Sequence, residues 1–326
     1  MKTCIMATWV IFVAAFGWGC AESTVEHGHD VLQDGEPDSP GDPAGDDVVT
    51  DGIDHGGDDT LPDVRPEADA DEDVPCLEET IPLSNTQVSY LVPGYARYMH
   101  VKVWGAGGNG EAGCSESEYP WDNGGYGGFS AAVFEVEPGT PLIIIVGGPG
   151  HASSSTIPPE ERMRFGWGMD GGGGLSGIFE GPDTITDADM AKALIIAGGG
   201  GGATTSRDNP CAPGKNGNIP LADGEAMPTM QGGVGSDDGV NGGGGGHRGG
   251  KGGTHGISGW GGEGFVAASA VRSVIENADP GDDLPPRADD PDYVAAWEAA
   301  GGFPLGTTEA PGLIVISFVC EIPPVI

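Results

Sequence analysis

Residues Phe129–Gly150 read FSAAVFEVEPGTPLIIIVGGPG. Phe129–Val136 is strand-length, apolar and rich in β-formers, and Glu137-Pro138-Gly139 turns the chain into Leu142–Val146. Glycine then takes over. The same grammar recurs on both sides. Gln87–Val92 and Tyr98–Trp104 alternate, with Pro93-Gly94 between them, and Leu175–Phe179, Ala193–Ala197 and Leu313–Val319 are short β-branched runs bounded by Gly or Pro. Many short strands with turn signals between them predict an all-β sandwich whose inner strands are buried. Residues 266–300 read as a helical insertion before the last strand. One helix is expected over Val266–Asn277. A second is expected over Tyr293–Ala300, with Asp290 as N-cap, Pro291 in the first turn and Gly301 as stop.

Glycine demands its own account. The chain of 326 residues holds 62 Gly and 27 Pro, and 47 of the glycines fall within residues 101–270. Each costs about 0.5–1 kcal/mol more than Ala to order, so either the glycine runs are disordered or something organises them. Spacing favours organisation. Gly250, Gly253, Gly256, Gly259 and Gly262 repeat every third residue, and Gly243, Gly246, Gly249 and Gly252 do so in a second register. In a helix of three residues per turn this period makes one face of glycine alone. Collagen shares the period but needs proline, and residues 229–279 have none. Packed polyglycine-type helices are the expectation.

The N-terminus differs. Lys2 precedes an uncharged apolar run, Ile5–Phe16, too short to span a bilayer and suited to a signal peptide over residues 1–19. Gly17-Trp18-Gly19-Cys20 resembles a lipoprotein box, which predicts a lipid anchor on Cys20 and outer-membrane lipid as its partner; cleavage after Ala21 with secretion is the alternative. Residues 21–75 hold 19 acidic residues against Arg65 alone, and no aromatic residue. Such a segment buries too little to offset its ordering entropy, so residues 20–75 read as an extended, disordered, lipid-anchored spacer. The whole chain carries −37, which argues against nucleic-acid partners.

After export five cysteines remain: Cys20, Cys76, Cys114, Cys211 and Cys320. Lipid on Cys20 leaves an even four, with three possible connectivities. First and last strands lying side by side would pair Cys76 with Cys320, leaving Cys114 with Cys211. Residues 76–326 thus read as one disulfide-bonded domain.

Motifs for chemistry are sparse. Gly105-Ala106-Gly107-Gly108-Asn109-Gly110 follows a strand but is not followed by the helix a dinucleotide fold requires. Gly245–Lys251 matches G-x-x-x-x-G-K but lacks the hydroxyl residue for magnesium. Asp69, Asp71 and Asp73 begin an EF-hand pattern without its turn glycine or its final Glu. Gly232–Asp237 opens a calcium nonapeptide with no tandem copy. His247 and His255 with Asp237 or Asp238 have no metal-ligand spacing. No catalytic, cofactor or metal site is assigned, and an enzyme, such as a hydrolase on envelope polymers, is the least favoured reading.

The order of elements carries a resemblance. TQVSYLVPG (Thr86–Gly94) leads to HVKVWGAGGNG (His100–Gly110), then to Gly124–Gly150, GGGGLSGIF (Gly171–Phe179), ALIIAGGGGGA (Ala193–Ala203) and NGGGGGHRGGKGG (Asn241–Gly253). This order resembles the glycine-rich domain of the anaplastic lymphoma kinase and leukocyte tyrosine kinase receptors, and similar domains of bacterial and phage surface proteins. The resemblance implies a jelly-roll-like sandwich carrying packed polyglycine helices, used as an extracellular binding or adhesion module. It implies no signalling, because the chain has no kinase, and residues 266–300 have no counterpart. The expected role is an exported cell-envelope lipoprotein whose domain binds an unknown protein or glycan ligand. A self-associating envelope or matrix component is the alternative.

Overall fold

The computed structural model describes residues 78–81, 87–110, 124–150, 171–182, 184–206, 209–212, 214–233, 235, 241–254, 257–277, 284–294 and 310–322. Ten strands form two antiparallel sheets. Sheet A runs β1 (Glu78–Ile81), β12 (Leu313–Val319), β3 (Tyr98–Trp104), β4 (Phe129–Glu135), β11 (Ala270–Glu276). Sheet B runs β10 (Phe265–Val266), β7 (Ala193–Ala197), β6 (Ser176–Glu180), β5 (Pro141–Ile145), β2 (Gln87–Leu91). A separate hairpin pairs β8 (Thr204–Ser206) with β9 (Asn209–Ala212). The result is an all-β, sandwich-like fold.

Alternation decides which side chains meet between the sheets. Met99, Val101 and Val103 of β3 share the inner face with Ala132 and Phe134 of β4 and with Ile314, Ile316 and Phe318 of β12. They pack on Leu142 and Ile144 of β5, Ile178 of β6, and Ile195 and Ala197 of β7. The unbroken run in β5 follows from burial on both faces. Ile143 and Ile145 point the other way, into a second cluster with Leu175, Phe179, Ile196 and Met230. The outer face of sheet A is also covered. Trp104, Phe129, Ala131, Leu313 and Val315 pack there with Tyr293, from a segment at 284–294 that lies across the sheet as a strap.

The expected helix over Val266–Asn277 is replaced by strand. Its small and apolar residues recur near every third or fourth position, which mimics a helix. However, Val271, Val274 and Ile275 are β-branched, and β4 presents an open edge. Pairing of Ser273 with Ala132 and Ile275 with Ser130 satisfies that edge, so tertiary context overrides the local period. Within the second expected helix, residues 291–294 are helical and Val294 N–H donates to the Asp290 carbonyl at 3.0 Å. Residues 295–300 lie outside the described residues.

At one end of the strands the glycine segments gather into an array whose hydrogen bonds run between segments and follow neither an α-helix nor a β-ladder. Residues 198–202, which continue β7, lie at its centre. Gly199 and Gly202 donate to Gly245 and Gly242, Gly200 to Ala106, and Gly201 to Lys215. Ala203, the next residue, donates to Asn109. Gly198 donates to Asn218 Oδ1 at 2.7 Å. In return Gly128 and Gly125 donate to Gly198 and Gly201, Gly262 and Gly259 to Gly199 and Gly202, and Gly173 to Gly200. All these bonds measure 2.7–3.0 Å. Each neighbouring segment that is met twice is met again three residues on. Six segments therefore surround the central one, and every N–H and C=O of 198–202 is used.

Such closeness leaves no room for side chains. A Cβ on Gly198, Gly199, Gly200 or Gly201 would overlap the carbonyl oxygen of Gly262, Gly173, Gly125 or Gly259 respectively. Asn218 ties the array to sheet A. Its Nδ2 donates to the Phe129 carbonyl at 2.7 Å and the Glu276 carbonyl at 3.1 Å, while its backbone takes φ 63°, a conformation Asn tolerates.

Candidate functional site

The expected signal peptide, Cys20, the spacer, Cys76 and Cys114 lie outside the described residues, as does the side chain of Cys211. Cys320 follows β12, and its Sγ donates to the Tyr95 carbonyl at 3.7 Å. The strand beside β12 is β1, which opens two residues after Cys76, with Glu78 opposite Ser317. Gln87–Val92, expected as the first strand, holds β2 at the edge of the other sheet.

The glycine motifs that mimic phosphate loops have their amides engaged. Gly105 donates to Gly128, Gly107 to Ala310, and Gly108 to Gly125. Gly245 donates to Gly173, Gly246 to Met230, and His247 to Glu263. A phosphate cradle needs N–H groups turned to a ligand, and these turn to neighbouring carbonyls. His247 stacks on Phe265 with ring centroids 4.1 Å apart. Burial holds its pKa below the ordinary value; Glu263 opposes that shift and Arg248 adds to it. His255, Asp237 and Asp238 lie outside the described residues. Among the described residues no group of three His, Cys, Asp or Glu side chains could hold a metal ion, and no helix is long and apolar enough to cross a membrane.

Two arrangements stand out. The first is on the rim of the array. Trp260 N–H donates to the Lys251 carbonyl and Lys215 N–H to the Gly259 carbonyl, each at 3.0 Å, so the three residues sit on adjoining segments. The Lys215 ammonium lies 5.9 Å from the Trp260 ring centroid, within cation–π range. Lys215 and Lys251 are exposed, Trp260 is half-buried, and nearby Ile257 is 55% exposed. The glycine backbone beneath holds this apolar and cationic surface in place.

The second lies under the strap. His100, Lys102 and Trp104 share the outer face of β3, opposite Met99, Val101 and Val103. Trp104 Nε1 donates to the Pro286 carbonyl at 2.9 Å, and its ring lies 5.5 Å from that of Tyr293. Lys102 Nζ is 3.0 Å from each carboxylate oxygen of Asp290 and 2.6 Å from Asp292 Oδ2. The Asp292 backbone N–H donates to Asp290 Oδ1 at 3.0 Å. Burial disfavours the Lys102 charge, yet the hydrogen bonds and charges of Asp292 and Asp290 prevail and raise its pKa. His100 is pushed the other way, by burial first and by the Lys102 charge second, and its Nε2 is buried without a hydrogen-bond partner.

This cluster joins residues 188 and 190 positions apart, which no local sequence pattern discloses. The one local signal is the alternation of YMHVKVW, which puts His, Lys and Trp on a single face. No protein-family model matches the chain, and no curated protein matches it.

Proposed function

We propose that the chain is an exported cell-envelope lipoprotein. In this reading Cys20 carries the anchor, residues 20–75 form the spacer, and the sandwich is a jelly-roll-like binding or adhesion module built on polyglycine-type helices. The observation that carries the reading is the array rim. An internally hydrogen-bonded backbone fixes Trp260, Lys215, Lys251 and Ile257 in place before any ligand arrives, which lowers the ordering cost of recognition. An aromatic ring beside an ammonium group suits a glycan or a protein segment bearing anionic groups. The test is binding of the exported chain to glycan arrays and intact cells. Retention that weakens at least tenfold in Trp260→Ala is expected. Absence of retention on every glycan and cell type, or retention unchanged in Trp260→Ala, would contradict the assignment.

One observation favours self-association as a second reading. Val271 and Ile275, each 46% exposed, lie on β11, the edge strand of sheet A, and an open edge is a template for another strand. Sedimentation that stays monomeric at high concentration would remove it.

A further inference from the structure

We propose that Lys102 and Asp290 join through an intramolecular isopeptide bond, with Asp292 carrying the protons. This inference does not depend on which ligand, if any, the array binds.

The geometry is that of reactants held in place. Lys102 Nζ stands 3.0 Å from both oxygens of Asp290, so the amine and the carboxyl group that would join are already in contact. Asp292 Oδ2, at 2.6 Å from the same nitrogen, is placed to take a proton from it. The Asp292 backbone N–H, at 3.0 Å from Asp290 Oδ1, stabilises negative charge as it builds on that oxygen. Side-chain exposures of 14% for Lys102 and 16% for Asp290 limit competition from water. The buried Trp104 and Tyr293 flank the cluster on β3 and on the strap.

The step balances without oxidant or co-reactant. Asp292 and Asp290 hold the proton on Lys102, so the amine is freed only transiently: the Lys102 ammonium gives a proton to Asp292, and the neutral amine attacks the Asp290 carboxyl carbon. A tetrahedral intermediate forms with its oxyanion on Oδ1. A second proton leaves the nitrogen, and both protons pass to Oδ2, which departs as water. One C–N bond forms and one C–O bond breaks. An ammonium and a carboxylate become an amide and a water, and Asp292 returns to its carboxylate. The product fastens the strap to the central region of sheet A by a covalent link that spans 188 residues of chain.

Mass spectrometry of the full chain, reduced and digested, tests this. The expected result is a mass deficit of one water, confined to a branched peptide that joins Lys102 to Asp290. Dehydration at an Asp-Gly step instead leaves linear peptides and would not count as support. Asp290→Asn should still react but lose ammonia, changing the deficit from one water to one ammonia. Asp292→Asn should slow formation at least tenfold, and Lys102→Arg should restore the full mass. Linear, full-mass peptides from the wild-type chain, after it is shown to be folded by its circular dichroism, would overturn the proposal. A branch ending at Asp292 would overturn it equally.

Discussion

At the scale of single residues, the array depends on positions where a hydrogen in place of a side chain is indispensable. Gly200 and Gly94 are contrasting cases. A Cβ on Gly200 meets the Gly125 carbonyl oxygen, a backbone atom that cannot step aside, whereas around Gly94 nothing lies within 4 Å. Gly200→Ala is therefore expected to cost about 3 kcal/mol or more and Gly94→Ala less than about 0.5 kcal/mol, read from urea midpoints. Similar midpoints would show that the array is not close-packed. Two histidines set a pH dependence. Burial holds both His100 and His247 below the ordinary 6.5. His100 faces Lys102, Asp290 and Asp292; His247 faces Glu263 and Arg248. The unfolded chain then binds more protons as pH falls through 6.5, so their contribution is full above that value and is lost on acidification. Thermal melts from pH 8 to pH 5 should fall in the wild type and fall less in the His100→Gln, His247→Gln double variant. Equal slopes would refute this.

At the scale of elements, what the sequence discloses depends on how local the cause is. Tyr98–Trp104, Phe129–Val136 and Leu142–Val146 were legible because burial against a sheet writes itself into alternation or into a short apolar run. Glu78–Ile81 was not, since EETI carries no such pattern and becomes a strand by pairing with β12. Ala270–Glu276 was misread because the demand that makes it a strand comes from the open edge of β4, far away in sequence. The strap follows the same logic. Asp290 was legible as a cap from Pro291 and the residues after it, yet its partnership with Lys102 belongs to tertiary structure alone. The strap depends on Tyr293, which is fully buried against Trp104. Tyr293→Ala should lower stability by about 3 kcal/mol through the cavity it leaves. It should also speed trypsin cleavage after Arg287, whose guanidinium bonds Glu276 at 2.6 and 2.8 Å. Unchanged cleavage would mean that the strap is held by other contacts.

At the scale of the whole molecule, composition separates into two regimes. Residues 21–75 carry −18 of the total −37 in a stretch without aromatic residues, while the glycine is concentrated among the strands. In the sequence the glycine could be read as disorder or as order, and the three-residue period tipped the balance. The array supplies the reason: partners recur at that same spacing. The candidate site was less legible. Trp260 and Lys251 were visible only as residues within a glycine run, and nothing local shows that they and Lys215 come to one rim. If disulfides join Cys76 to Cys320 and Cys114 to Cys211, a non-reducing peptide map will contain these two linked pairs, and reduction will lower the melting temperature. Any other pairing would refute the connectivity. In this structure the glycine segments form an ordered, hydrogen-bonded interior. Amide hydrogen exchange on the full chain tests it most directly. The amides of residues 198–202 should rank among the slowest in the protein, alongside those of β3 and β12; exchange at the rate of an unstructured chain would contradict the account.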